Sequence, residues 1–100
     1  MTFVQGYVLV GNGWCSNDNG DRINSDGFAW SPAHVKNDGS AAQCENTCAS
    51  NAACIGYMTE DKTKCDVILE TDGKAANGIV KVDSEKRVYC WRKVAGKLLL

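Results

Sequence analysis

The sequence predicts an α+β domain in which a single short helix packs on an antiparallel β-sheet and three disulfides staple the two together. Three features carry this prediction: six cysteines in 100 residues, one segment with a helix-start signal, and several strand-like segments separated by turn residues. A chain of this length, 44% hydrophobic, is expected to form one domain, residues 1–100, with a thin core. An even, dense set of cysteines in a short chain is typical of a disulfide framework formed in an oxidising compartment.

The helix is predicted from its two ends. Ser40 suits the N-cap position, and Gln43 lies three residues later, which together match a capping box. Good helix formers follow as far as Ser50, and Asn51 suits a left-handed C-cap. We therefore expect one helix near 41–50.

Strands and turns account for most of the remaining chain. Residues 3–10 predict a first strand, and the run 11–27, rich in Gly, Asn, Asp and Ser, predicts a loop. Two hairpins are expected downstream. The first joins strands at 53–59 and 64–70 through a turn at 60–62, and the second joins strands at 78–82 and 87–94 through a turn at 83–86.

The cysteine spacing predicts how the sulfurs pair. Cys44 and Cys48 lie one helical turn apart, so both point from one face of the helix. Their Cβ vectors run roughly parallel, which is poor geometry for a bond between them, so each is expected to reach a strand. Among the many connectivities that six cysteines allow, this geometry favours Cys48–Cys54, Cys44–Cys65 and Cys15–Cys90.

The segment from Cys44 to Tyr57 resembles the central signature of PAN/apple domains. In that signature a helix carries two cysteines one turn apart, and a third cysteine opens a strand that ends in an aromatic residue. A fourth cysteine follows after a hairpin, as Cys65 does here, and the outer pair corresponds to Cys15 and Cys90. The resemblance spans about residues 7–94.

The resemblance implies a helix cradled by an antiparallel sheet in a secreted or cell-surface protein. Modules of this family occur in growth factors, coagulation-type zymogens and surface adhesins of protists, and they bind proteins or carbohydrates. Their binding residues vary, so the resemblance transfers no site to this chain. The 54–65 hairpin is short compared with that of coagulation apple modules, so their partner surface is not expected here. We therefore expect an extracellular recognition or adhesion module that is not an enzyme.

Composition and segment lengths argue against other classes of protein. The net charge of −1 is unlike that of a general nucleic-acid binder, and the chain lacks the apolar run of about 18 residues that membrane insertion requires. The cysteine content predicts an extracellular or cell-surface location. Residues 1–10 show neither the basic region nor the apolar core of a signal peptide, so we expect a removed signal or a fragment of a larger protein.

We expect no metal, cofactor or catalytic residue. A zinc site built from His34 and three cysteines would lack the paired cysteine knuckles of structural zinc sites, and disulfides would leave no thiol for the metal. The oxygen-rich runs 17–21 and 25–27 miss the EF-hand order for calcium, and Asn, Asp and Gly are also ordinary turn residues. His34 is the only histidine and has no adjacent free nucleophile.

Aromatic and basic residues predict where a protein or glycan ligand would bind. In the last strand Tyr89 and Trp91 flank Cys90, so both rings face the other way if Cys90 faces the core. Aromatic rings are stacking platforms for sugars and anchors for proteins. The candidate ligand-binding residues are Trp30, Tyr89, Trp91, Arg92 and Lys93. The alternative is that these rings cover the sheet or seal loops.

The apolar ends of the chain predict a second function, as a structural subunit of an extracellular filament or coat that assembles through sheet edges and termini. Exposed apolar ends are unfavourable on a soluble monomer, so burial against neighbouring copies would explain them. The candidate assembly residues are Phe3, Val4, Leu98, Leu99 and Leu100.

Overall fold

Antiparallel strands and one helix make up the regular structure of the chain. The computed structural model describes residues 2–3, 6–23, 29–30, 35–61, 64–70, 75, 78–94 and 98–99. Within them the elements in chain order are β1 (Thr2–Phe3), β2 (Gly6–Ser16), β3 (Ala29–Trp30), α1 (Ala42–Ser50), β4 (Cys54–Glu60), β5 (Lys64–Leu69), β6 (Lys81–Val94) and β7 (Leu98–Leu99).

The main sheet has the strand order β2-β6-β4-β5-β3, and every neighbouring pair is antiparallel. Helix α1 contacts β4 and β5. The predicted class, one short helix on an antiparallel sheet stapled by three disulfides, is therefore confirmed. None of the helices in the described part of the chain has the length and apolar composition needed to cross a bilayer.

The hairpin predicted for residues 53–70 is confirmed as β4 and β5. Its turn includes Asp61, which has a φ of 53°, a left-handed conformation that Asp adopts more readily than most residues.

The second predicted hairpin is wrong, because residues 81–94 form one long strand, β6, that pairs with β2 on one side and β4 on the other. The polar run predicted as its turn lies at an irregularity instead. Asn12 of β2 lies opposite Tyr89, but the next residue, Gly13, lies opposite Ser84. Residues 85–88 therefore make an excursion that β2 does not match.

The loop predicted at 11–27 is wrong in its first part, because β2 continues to Ser16. Gly13 permits the continuation, since a Cβ there would overlap the carbonyl of Asp83. A tight turn does follow: the side-chain oxygen of Asn17 accepts hydrogen bonds of 3.0 Å from the amides of Asn19 and Asp21. The run 25–27 lies outside the described residues, as does His34.

Helix α1 occupies the predicted segment, and Asn51 is its C-cap as predicted, but the predicted N-cap and the left-handed conformation of the C-cap are wrong. The N-cap is Ala41, without a side-chain cap. The hydroxyl of Ser40 instead donates to the Asp38 carboxylate at 2.7 Å, so it does not cap the helix. At the other end Asn51 is extended, with a φ of −119°, and its side-chain oxygen accepts from the amide of Ala53.

Each face of the sheet is covered by its own core. On the helix side the buried cluster consists of Ala41, Cys44, Cys48, Cys54, Tyr57, Cys65 and Val67. On the opposite side it consists of Cys15, Ile23, Met58, Ile68, Ala75, Ile79, Val88 and Cys90. Neighbouring residues of β4, Tyr57 and Met58, belong to different clusters, as expected where successive side chains of a strand point to opposite faces.

All three predicted disulfides are confirmed, and no cysteine is free. Cys44–Cys65 and Cys48–Cys54 attach the helix to β5 and β4, with Cα separations of 6.3 and 5.1 Å. Cys15–Cys90 lies in the other core and joins β2 to β6 across the excursion, at 5.2 Å. Two disulfides thus fasten the helix to the sheet, and the third links two neighbouring strands of the sheet.

The two ends of the chain pair with each other. Phe3 lies opposite Leu98, and Thr2 lies opposite Leu99. A one-for-one continuation from the Gly6–Val94 pair would place Phe3 opposite Lys97, so this short ladder is displaced from the β2–β6 ladder by one residue. Of the residues predicted for assembly, Val4 and Leu100 lie outside the described residues.

Candidate ligand-binding cleft

A cleft of about 260 Å³ opens at one end of the sheet, where the β4–β5 turn, the excursion of β6 and the segment before the helix meet. We call it the end cleft. Its lining residues are Val35, Lys36, Asn37, Thr59, Asp61, Lys86, Arg87 and Tyr89. A wider depression of about 590 Å³ adjoins it and shares Asp61, Lys86 and Arg87. Together they offer a concave surface of the size that small ligands occupy.

The turn residue Asp61 and the excursion residue Arg87 hold the floor of the cleft together. The amide of Asp61 donates a 3.1 Å hydrogen bond to the carbonyl of Arg87. Their side chains also form an ion pair at 3.8 Å, but these side chains are 59% and 77% exposed. Exposed ion pairs contribute little free energy, so the two side chains are free to exchange this contact for one with a ligand.

The charges around the end cleft are mostly positive. Three cations, Lys36, Lys86 and Arg87, share it with one carboxylate, Asp61. Lys86 forms no ion pair with any residue that the structure describes. Lys36 lies close enough to Asp38 to help lower the pKa of that carboxyl, although the hydrogen bonds from Ser40 lower it more. The end cleft itself therefore favours a ligand with an acidic or strongly polar group, whereas the adjoining depression adds the carboxylates of Glu60 and Glu85.

Tyr89 forms the aromatic wall of the cleft, and Gly39 determines its position. Gly39 has a φ of +83°, and a Cβ on it would overlap the ring of Tyr89, so the ring packs directly on the glycine backbone. The Gly39 carbonyl accepts hydrogen bonds from the hydroxyl of Thr59 at 2.8 Å and the indole of Trp91 at 3.1 Å. These bonds tie the segment before the helix to the sheet.

Trp91, a predicted ligand residue, lies in the helix-facing core and not in the cleft. Its ring stacks on Tyr57 with centroids 6.2 Å apart, and Tyr7 meets Tyr57 edge-on at 5.5 Å. The hydroxyl of Tyr57 donates to the Glu45 carboxylate at 3.0 Å, and that of Tyr7 donates to the Glu45 carbonyl at 2.7 Å. Burial, and then the Glu45 charge, raise the pKa of both tyrosines.

Lys93 and Arg92 also lie outside the cleft. Lys93 donates from Nζ to the carbonyls of Cys48 and Asn51, at 2.8 and 3.3 Å, so it satisfies the C-terminal end of the helix. Arg92 is exposed and donates to the Ile79 carbonyl at 3.4 Å. The backbone of Trp30 pairs with Cys65, and the placement of its side chain lies outside the described part of the structure.

Among the predicted ligand residues whose side chains the structure describes, Tyr89 alone lines the cleft. Sequence reasoning missed Lys36, Lys86 and Arg87. For the last two the reason is that the sequence places them in a hairpin turn and its following strand. The high density of charged residues at 83–87 is the sequence feature that points to this part of the cleft. No family model, curated protein or solved structure matches this chain.

Proposed function

We propose that this protein is an extracellular recognition or adhesion module, similar to PAN/apple domains, that binds a protein or carbohydrate ligand at the end cleft. The observation that carries the proposal is the combination of a fixed aromatic wall, Tyr89, with the three cations of the cleft. An aromatic ring supplies a stacking surface for a sugar or a side chain, and the cations supply hydrogen-bond donors for its polar groups.

The chemistry of the lining favours binding over catalysis. The described lining contains Lys, Arg, Asn, Thr, Asp, Val and Tyr side chains. Every cysteine is held in a disulfide, so none supplies a thiolate nucleophile. The hydroxyl of Thr59 is already engaged as a donor to the Gly39 carbonyl. A binding role requires only the shape and polarity that these residues provide.

An extracellular or cell-surface location fits the disulfides. Three structural disulfides in a 100-residue chain are typical of proteins that fold in an oxidising compartment. The observed pairing is the one that the cysteine spacing predicts, with two bridges at the helix and one joining early and late strands.

Binding at the cleft is tested with a paired set of variants on a glycan array and a panel of secreted proteins. The double variant Lys86→Gln/Arg87→Gln removes two cations of the cleft, and Lys81→Gln removes an exposed cation of the same strand outside it. We expect the double variant to weaken binding about tenfold, equivalent to about 1.4 kcal/mol, and Lys81→Gln to leave it unchanged.

Two outcomes would contradict this proposal. One is an absence of binders on both panels. The other is a binder whose affinity is the same for the parent chain and the double variant, because its site would then lie elsewhere. Near-ultraviolet circular dichroism of the variants controls for correct packing of the aromatic core.

A second candidate function is that of a structural subunit in an extracellular filament or coat. One observation favours it: β2 is an edge strand of the main sheet and exposes Val8 and Leu9. Apolar edge strands are templates for pairing with another chain. Electron microscopy of concentrated protein would reveal regular polymers if the chain assembles in this way.

A further inference from the structure

Two concavities meet over the rim of the sheet at the end where the cleft opens. The end cleft lies on the helix side, because its wall, Tyr89, packs against Gly39 of the segment before the helix. The wider depression extends to the opposite side, because its lining includes Val88, which belongs to the core cluster on that face. Asp61 and Arg87 line both concavities, so they form the rim between them.

The wider depression has an aromatic wall of its own, Trp14. This side chain is half-buried and packs against the core cluster on the face opposite the helix. The guanidinium of Arg22 lies 5.2 Å from the centroid of the Trp14 ring, and its Nε donates a hydrogen bond to the carboxylate of Asp83. The ring is therefore held in position by the protein itself, and fixed aromatic rings are the usual anchors of protein interfaces.

The two concavities differ in charge. Lys36 lines only the end cleft, whereas Glu60 and Glu85 line only the wider depression. Glu60 is partly neutralised by Lys64, whose Nζ lies 3.3 Å from the carboxylate. Glu85 is exposed and, like Lys86, forms no ion pair with any residue that the structure describes. A ligand that complements both concavities therefore carries a negative group in the end cleft and a positive group in the wider depression.

We infer that the ligand is an extended segment of a protein partner, with an acidic side chain in the end cleft and a basic side chain in the wider depression. This inference rests on the binding function proposed above for the end cleft. A ligand that crosses the rim from the side-chain layer on one face of the sheet to the layer on the other spans about 10 Å, or about three residues of extended peptide. Peptides carry acidic and basic groups at this spacing, whereas the charged groups of glycans are mostly acidic. A protein segment therefore complements the two concavities better than a glycan does.

A displayed library of random peptides, selected on the intact, disulfide-bonded chain, tests the inference. We expect the parent chain to enrich peptides in which an acidic and a basic residue are about three positions apart. Glu85→Lys reverses the unpaired charge of the wider depression, so its enriched peptides should keep the acidic residue and lose the basic one. Glu70→Lys reverses an exposed acidic residue outside both concavities and should enrich the same peptides as the parent.

Affinities of one enriched peptide provide a second measurement. Glu85→Gln should weaken binding of the peptide that carries both charges about fivefold to tenfold, because it removes the partner of the basic residue. The same variant should bind the peptide with alanine in place of its basic residue as tightly as the parent chain does.

The inference is overturned if the peptides enriched on the parent chain are acidic only, or if a sulfated oligosaccharide binds the end cleft more tightly than every enriched peptide. In both cases Lys86→Gln/Arg87→Gln would still weaken binding, so the proposed function would stand without the inference. If no peptide or oligosaccharide binds in a way that depends on Lys86 and Arg87, the proposed function fails and the inference fails with it.

Discussion

Gly39 is the residue on which the end cleft most depends. Its carbonyl receives hydrogen bonds from two strands through Thr59 and Trp91, and its backbone lies against the ring of Tyr89. A side chain at this position is opposed both by the left-handed φ of +83° and by the ring. One glycine thus sets the distance between the segment before the helix and the sheet.

A pair of glycine variants separates these two effects. Gly78 has a similar φ of +80°, but a Cβ there would meet nothing within 4 Å. We expect Gly78→Ala to lower the free energy of unfolding by about 1–2 kcal/mol through backbone strain, and Gly39→Ala to lower it by about 1–3 kcal/mol more through overpacking against Tyr89. Urea unfolding with disulfides intact measures both, and equal losses would show that the ring yields without strain.

At the scale of elements, the helix is held on the sheet by a polar contact as well as by two disulfides. Glu45 of α1 accepts hydrogen bonds from Tyr57 of β4 and Tyr7 of β2, through its carboxylate and its carbonyl. Lys93 of β6 satisfies the last carbonyls of the helix. Three strands therefore hold a nine-residue helix that is too short to be stable alone.

This contact predicts a loss of stability at alkaline pH. In the folded chain burial and Glu45 raise the pKa of Tyr57 and of Tyr7, whereas in the unfolded chain both ionise near the ordinary value of 10.0. The folded state then binds more protons than the unfolded state above pH 10. The stabilisation that the two tyrosines provide is complete below that pH and decreases above it, by up to about 1.4 kcal/mol per pH unit for Tyr57 and by less for the more exposed Tyr7.

Urea unfolding between pH 8 and 11 measures this dependence. The Tyr57→Phe variant has no ionisable group at this position, so its free energy of unfolding should decrease less steeply above pH 10. At neutral pH the loss of the hydrogen bond to Glu45 should lower its free energy of unfolding by about 1 kcal/mol. If the stability of Tyr57→Phe decreases as steeply above pH 10 as that of the parent chain, ionisation of Tyr57 does not cause the alkaline loss of stability.

The elements that could be predicted are those with local signals. The helix and the β4–β5 hairpin follow from helix-forming residues, turn residues and cysteines close in sequence, although Ser40 does not cap the helix as predicted. Strand β6 is not predicted because its polar run 83–86 has turn composition. Asp83 and Ser84 nevertheless pair with the distant β2, and residues 85–88 leave that ladder as the excursion. The cleft depends on this same excursion. The ring of Tyr89 marks it as a ligand contact from the sequence alone, whereas the placement of Lys86 and Arg87 in the cleft follows only from the excursion.

At the scale of the whole molecule, a thin sheet carries a separate core on each face, and each core contains covalent bonds. The helix-side core holds two disulfides that close short segments of the chain, and the opposite core holds Cys15–Cys90, with a sequence separation of 75. A chain of this size buries limited apolar area, so the disulfides provide a large part of its net stability.

The disulfides should therefore differ in importance according to the length of chain that they close. In the loop-entropy description Cys15–Cys90 contributes about 4.5 kcal/mol and Cys48–Cys54 about 2.4 kcal/mol. The four cysteines are 0–3% exposed, so replacing either pair with alanine leaves cavities of similar kind, and the variants are matched. We expect Cys15→Ala/Cys90→Ala to lose about 2 kcal/mol more than Cys48→Ala/Cys54→Ala in urea unfolding.

Full reduction should unfold the chain, because the summed contribution of the three bridges is comparable to the whole stability of a small domain, about 5–15 kcal/mol. Circular dichroism in reductant measures this as loss of the near-ultraviolet signal from the aromatic core around Tyr57 and Trp91. Retention of that signal would show that the apolar layers hold the sheet and helix together without the disulfides. A larger loss of stability from Cys48→Ala/Cys54→Ala than from Cys15→Ala/Cys90→Ala would contradict the loop-length argument.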